Sequence, residues 1–206
     1  MSLLHNIIES IDNLESLFET IPVERKELLR ELADYIKRKT TDSQEVNLTF
    51  ICTHNSRRSI MSQIWAQAAA EYYGIGNVHC YSGGTEATAF NPRAVKAMKE
   101  AGFQIEKREA SDNPVYIVKY SDNAQPIQCF SKVYNDPFNP QSNFAAIMTC
   151  SDADKNCPVV LGADARFPIR YDDPKEFDET PLEAVKYLER SKQIAVEILY
   201  AFSKIN

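Results

Sequence analysis

The chain has 206 residues, 44% of them apolar and 25% charged, which supplies a real core and excludes a disordered or collagen-like chain. Acidic side chains number 29 against 23 basic ones, for a formal net charge of −6. That balance argues against nucleic acid or an anionic membrane as a partner. Residues 1–45 read as helix only. Leu4, Ile7, Ile8, Ile11, Leu14, Leu17 and Phe18 recur at spacings of three and four, the signature of one apolar helical face. This segment carries acids where an export signal would carry bases, and no apolar run of the chain approaches the roughly 18 residues of a membrane span. The expected location is therefore the cytoplasm. Thr20-Ile21-Pro22 interrupts the pattern, and Pro22 suits the first turn of a second helix, which runs to about Arg38 with Leu28, Leu29, Leu32 and Ile36 apolar. Such a helical hairpin cannot bury both apolar faces alone. It is expected to pack on the rest of the chain or to form a homodimer through these helices.

After the polar linker 40–44 the texture changes to strand and helix in alternation. Strands are expected at 46–51, 78–81, 144–149 and 167–171, with helices at 60–73, 91–101 and 181–203. Alternation of this kind implies an α/β fold with a four-stranded parallel sheet flanked by helices. One segment departs from the scheme. Residues 115–120 and 127–134 look like two strands around the turn formers 121–126, so a β-hairpin is expected as an insertion at about 114–134. The organisation read from the chain is thus an N-terminal helical extension at 1–45 and one α/β domain at 46–206.

The chemistry centres on five cysteines, Cys52, Cys80, Cys129, Cys150 and Cys157. An odd count in a reducing compartment argues against a disulfide framework and leaves thiols free to react. Cys52 and Arg58 stand six apart, followed by Ser59, between an expected strand and an expected helix. A loop wound at a helix N-terminus points backbone N–H groups inward, so Thr53, His54, Asn55, Ser56, Arg57, Arg58 and Ser59 form an expected oxyanion cradle. Cys52 is the nucleophile that a tetrahedral oxyanion requires, and the planar Arg58 guanidinium can hold two of its oxygens at once. Ser59 can donate a hydrogen bond to the sulfur. Departure of an oxygen calls for a proton donor, and Asp173, fixed by Pro174 at the C-terminal end of the sheet, is the candidate. Asp172 reads as a turn residue.

Other patterns carry less. Asp152-x-Asp154-x-Asn156 imitates the start of a calcium loop, but Cys157 replaces the required Gly and Ala163 the closing Glu. Cys150 and Cys157 lack a second Cys/His pair, which argues against zinc. No metal and no cofactor is expected. Cys80 and Cys129 fall in strand-like runs and read as packed thiols.

Phe50-Ile51-Cys52-Thr53, Asn55-Ser56, Arg58-Ser59, Tyr81-Ser82-Gly83-Gly84-Thr85-Glu86, Asn91-Pro92-Arg93-Ala94 and above all Thr149-Cys150-Ser151-Asp152-Ala153-Asp154-Lys155-Asn156-Cys157-Pro158 carry a family resemblance. Over residues 46–112 and 144–204 the chain resembles the low-molecular-weight protein tyrosine phosphatase superfamily, and within it the thioredoxin-coupled arsenate reductases. The resemblance implies that Cys52 is the nucleophile, Arg58 the oxyanion clamp, Asp173 the general acid, and Cys150 and Cys157 a redox pair. It implies arsenate as substrate and thioredoxin as reductant; the alternative is hydrolysis of phosphomonoesters, phosphotyrosine among them, through a phosphocysteine. Two loop positions depart from the family, which usually has Gly at His54 and Cys at Arg57. His54 is expected to point to solvent. Arg57 either adds attraction for anions or is simply exposed, and exposure is the favoured reading.

Overall fold

The alternating β-rich and helical runs form one parallel sheet with helices on both faces, and the computed structural model describes residues 3–156 and 159–205 of it. Helix α1 (His5–Glu15), a 3₁₀ turn (Phe18–Thr20) and helix α2 (Val23–Thr41) come first. Pro22 occupies the N-cap of α2 rather than its first turn. Both helices pack on the C-terminal helix α6 (Glu183–Phe202). Ile7, Ile11, Leu29, Leu32 and Ile36 are buried in the same apolar cluster as Val46 and Leu48 of the sheet. Of the two expectations, packing on the rest of the chain is the one seen within the chain, with α6 covering these faces. Polar ties reinforce the seam: Arg25 pairs with buried Glu197 at 2.6 Å, and Leu4 N–H donates to Tyr120 O.

The sheet contains β1 (Val46–Cys52), β2 (Val78–Gly84), β6 (Phe144–Met148) and β7 (Ala163–Phe167), in the order β2-β1-β6-β7, all parallel. Every residue of β6, and all of β1 save Asn47, is buried, as expected of central strands covered on both faces. Helices α3 (Arg58–Tyr72) and α4 (Pro92–Glu100) follow β1 and β2, and the short α5 (Ser151–Asn156) follows β6. Two alignments matter for chemistry: Cys52 pairs with Gly84, and Ile51 with Met148. The C-terminal strand ends, and the loops that leave them, therefore meet at one edge.

Two expectations need correction. The fourth strand is Ala163–Phe167, four residues earlier than 167–171. Pro168 has no N–H to extend the ladder, and the strand's polar positions are held by side chains: Asp164 takes Tyr35 Oη and Lys39 Nζ at 2.8 and 2.7 Å, and Arg166 pairs with Asp154. The insertion is a three-stranded antiparallel sheet, β3 (Gln104–Lys107), β4 (Tyr116–Lys119) and β5 (Ile127–Cys129), rather than a hairpin alone. Strand β5 stops at Cys129 because residues 131–134 turn away to the sheet edge, where Gly84 N–H donates to Lys132 O and Tyr134 N–H to Gly84 O. Among the described residues, no helix is long and apolar enough to cross a membrane.

Candidate active site

Cys52 is the last residue of β1 and Arg58 the first of α3, so five residues must wrap between a strand and a helix start. Asn55 allows the wrap by adopting φ +45°, a left-handed conformation that Asn tolerates well. The loop's carbonyl groups face outward and are held there. Cys52 O accepts from Thr85 N–H, Thr53 O from Glu86 N–H, His54 O from the Ser131 hydroxyl at 2.8 Å, and Ser56 O from Asn91 N–H. Gly84 makes this approach possible, since a Cβ there would stand 2.2 Å from Glu86 O and 2.6 Å from Thr53 O. No acceptor among the described residues takes the backbone N–H of Thr53, His54, Asn55, Ser56 or Arg57. A ring of free amides at a helix start is an anion cradle.

Cys52 is buried, with Sγ 3.1 Å from Ser59 Oγ. A chain of contacts fixes the direction of that bond. Lys132 N–H can only donate, so Asn55 Oδ1 accepts it at 2.9 Å. Asn55 Nδ2 then donates to Ser59 Oγ at 2.9 Å, and the single Ser59 proton is free to point at Cys52 Sγ. The network presents a hydrogen-bond donor to the sulfur, which suits a thiolate.

Arg58 Nη1 donates to Tyr171 O at 3.0 Å and Nη2 to Asp173 Oδ2 at 2.6 Å. Its buried Nε has no partner among the described residues. Arg57 is not exposed. It is 8% accessible, and its Nε donates to Asp173 Oδ1 at 2.8 Å. The favoured sequence reading failed here because Asp173, the residue that draws Arg57 inward, lies more than a hundred positions away. Asp173 also caps the 3₁₀ turn Pro174–Phe177 by accepting from Lys175 N–H. Burial pushes the Asp173 carboxyl up, but the charges of Arg58 and Arg57 outweigh it and hold the group below the usual carboxylate range. Asp172 lies outside the site, exposed and paired with Arg190. His54 is half-exposed, with Nε2 3.6 Å from Glu86 Oε2.

Cys150 lies two residues beyond the end of β6 and is fully buried. Its Sγ lies 3.5 Å from Thr53 Oγ1 and accepts from Ala153 N–H at 3.3 Å. A small apolar cluster of Ile51, Cys52, Met148, Cys150, Ala153 and Val160 encloses both sulfurs. Cys157 lies outside the described residues. Cys80 and Cys129 are packed thiols, with burial pushing Cys129 up to about 12 and Cys80 higher still. Among the described residues, no group of three or more His, Cys, Asp or Glu side chains could hold a metal.

Sequence reasoning missed the support that the insertion gives the loop. The Ser131 hydroxyl donates to His54 O and accepts from Thr88 N–H, and Ser131 is itself held by Asn113 through two bonds, at 2.7 and 3.1 Å. Lys132 is buried over the Phe130 ring, and burial lowers its amine to about 8. Neither residue belongs to a recognisable spacing; only the turn formers near Asn113-Pro114 hint at a return of the chain.

Residues 47–116 match the family described as low molecular weight phosphotyrosine protein phosphatase. The chain is 32% identical over 126 residues to arsenate reductase 2 of Staphylococcus epidermidis, covering 61% of this chain and 76% of that one. It is 34% identical over 133 residues to arsenate reductase of Staphylococcus aureus, covering 63% and 81%. In fold it is similar to the crystal structure of the low molecular weight protein tyrosine phosphatase of T. tengcongensis, with a TM-score of 0.52 at 19% identity over 78% of this chain and 99% of that one. Sequence likeness and loop architecture agree, and the chain belongs to the low molecular weight protein tyrosine phosphatase superfamily, alongside these arsenate reductases.

Proposed function

We propose that this enzyme reduces arsenate to arsenite by a relay of cysteines. The observation that carries the reading is the second buried thiol: Cys150 shares one small apolar cluster with Cys52, with Thr53 between them. Hydrolysis of a phosphomonoester has no use for it. In the proposed sequence the oxyanion sits in the cradle of residues 53–59, with Arg58 holding two of its oxygens. The Cys52 thiolate attacks arsenic; the S–As bond forms, one As–O bond breaks, and Asp173 handles the proton of the departing oxygen. Cys150 then attacks Cys52 Sγ. The S–As electron pair passes to arsenic, arsenite leaves, and a Cys52–Cys150 disulfide remains. Cys157 attacks Cys150, which releases the Cys52 thiolate and moves the disulfide to Cys150–Cys157, where thioredoxin is the proposed reductant.

The second reading is phosphomonoester hydrolysis, which would need only Cys52, Arg58 and Asp173; the Ser59 contact at Cys52 and the pairing of Arg58 with Asp173 support it. One experiment separates the two. Purified protein is given arsenate with thioredoxin, thioredoxin reductase and NADPH, beside an aryl phosphate assay. Arsenate-dependent NADPH oxidation that is lost in Cys150→Ser supports the relay. Robust aryl phosphate turnover without it establishes the phosphatase.

A further inference from the structure

Two guanidinium groups, not one, grip the residue that handles the leaving-group proton. Arg57 Nε lies 2.8 Å from Asp173 Oδ1, Arg57 Nη2 3.4 Å from Oδ2, and Arg58 Nη2 2.6 Å from Oδ2. An incoming oxyanion competes with Asp173 for Arg58, the clamp. Arg57 holds the other carboxylate oxygen, so its pair with Asp173 survives that exchange. The other charged groups nearby are engaged elsewhere. From α6, Tyr187 Oη donates to Asp178 at 2.8 Å and Arg190 pairs with Asp172. From α4, Arg93 pairs with Glu183 and Asp178. From the 3₁₀ turn, Lys175 contributes its backbone N–H.

We propose that Arg57 is the specificity-determining residue of this site: its ion pair with Asp173 occupies the proton donor, so the site turns over oxyanions that bring their own leaving-group proton and discriminates against esters. Dihydrogen arsenate is such an oxyanion. When Cys52 attacks it, the Asp173 carboxylate accepts a proton from one As–OH and passes it to the departing OH, which leaves as water. The products are the dianionic thioarsenate adduct and water, and no outside proton is consumed. An aryl phosphate dianion has no O–H to lend, so its phenolate must leave unassisted. Arg57 acts here through Asp173 as well as through its own charge near the cradle.

This inference rests on the proposed arsenate chemistry for its natural substrate, but its test does not. Wild type, Arg57→Gln and Arg57→Lys are compared on aryl phosphates of graded leaving-group pKa between pH 5 and 8, with folding checked by circular dichroism. Wild-type kcat should fall steeply as the leaving group worsens. Removing one of two neighbouring cations raises the acid form of a carboxylate by about tenfold or more at neutral pH. Arg57→Gln should therefore speed the poorest leaving groups by about tenfold at pH 7, flatten the leaving-group dependence, and shift the descending limb of the pH profile upward. Arg57→Lys, which keeps a cation, should retain the wild-type leaving-group slope and pH limb whatever its absolute rate, and arsenate turnover should not rise in either variant. A purely structural role for Arg57 would slow all substrates alike and leave the slope and pH limb in place. That result, or no gain in Arg57→Gln, overturns the inference. Failure of wild type to reduce arsenate, with the leaving-group pattern as described, would overturn the proposed function and leave the Arg57 assignment standing.

Discussion

Asn55 is the joint on which the proposed catalytic loop depends, and its replacement has a calculable cost. The side chain is fully buried, accepts Lys132 N–H at 2.9 Å and donates to Ser59 Oγ at 2.9 Å, with its backbone at φ +45°. Asn55→Ala orphans the buried Lys132 N–H, at about 1–3 kcal/mol, and removes a second bond worth about 1 kcal/mol. It also places a Cβ without a polar partner in the left-handed region, at about 1–2 kcal/mol. The expected loss is about 4 kcal/mol, a large part of the roughly 5–15 kcal/mol that holds a domain folded. Asn55→Gly loses the same bonds without the backbone penalty and should be more stable than Asn55→Ala by about 1 kcal/mol. Asn55→Asp should retain the Lys132 bond but turn the Ser59 proton away from Cys52, costing activity more than stability. Guanidinium unfolding at pH 7 measures the stabilities, and burst-phase turnover the activity. A loss under about 1 kcal/mol in Asn55→Ala, or Asn55→Gly less stable than Asn55→Ala, would show that Asn55 does not brace the loop.

Asp173→Asn should slow the first chemical step with arsenate by about 10²–10⁴-fold, the scale of lost proton transfer, as read by single-turnover arsenite release. The same residue makes a claim about pH and stability. Because its folded-state pKa is depressed, its contribution is present above the unfolded value of about 3.9 and is lost as the pH falls through the folded value. Thermal melts of wild type should therefore decline on that acid side, and Asp173→Asn should lose this part of the decline. With iodoacetamide at pH 7, Cys80 and Cys129 should stay unlabelled in the folded protein, since burial disfavours both thiolates. Inorganic phosphate should slow labelling of Cys52; peptide mapping that finds Cys80 modified first, with no effect of phosphate, would contradict the loop assignment.

How much of this was legible beforehand follows from where each feature gets its energy. Strand β6 is buried throughout and reads as a continuous apolar run, and β1 as a β-rich run interrupted only by Asn47 and Thr49. Helix α6 was legible as a long helix because its apolar C-terminal half, buried throughout from Ile194 to Phe202, packs among α1, α2, α3 and α4. Strand β7 sits at the edge, and its polar residues are satisfied by Tyr35, Lys39 and Asp154, partners that no local pattern reveals. Strand β3 buries only Ile105, too little for a periodic signal. At the site, the spacing from Cys52 to Ser59 is local and could be read. The inward turn of Arg57 and the bonds from Ser131, Lys132 and Asn113 join segments far apart in sequence, so their geometry exists only once the chain has folded.

The relay itself is tested most directly by stopping it halfway. Cys157→Ser is treated with a stoichiometric amount of arsenate and no reductant, quenched in acid, and mapped by mass spectrometry under non-reducing conditions. Closing a bond between Cys52 and Cys150 requires their Cα atoms to come within about 4.4–6.8 Å, which adjacent strand ends in one apolar cluster favour. One arsenite released per chain and a Cys52–Cys150 disulfide in the same proportion are the expected products. Free thiols at both positions, with arsenate recovered unchanged, would contradict the relay.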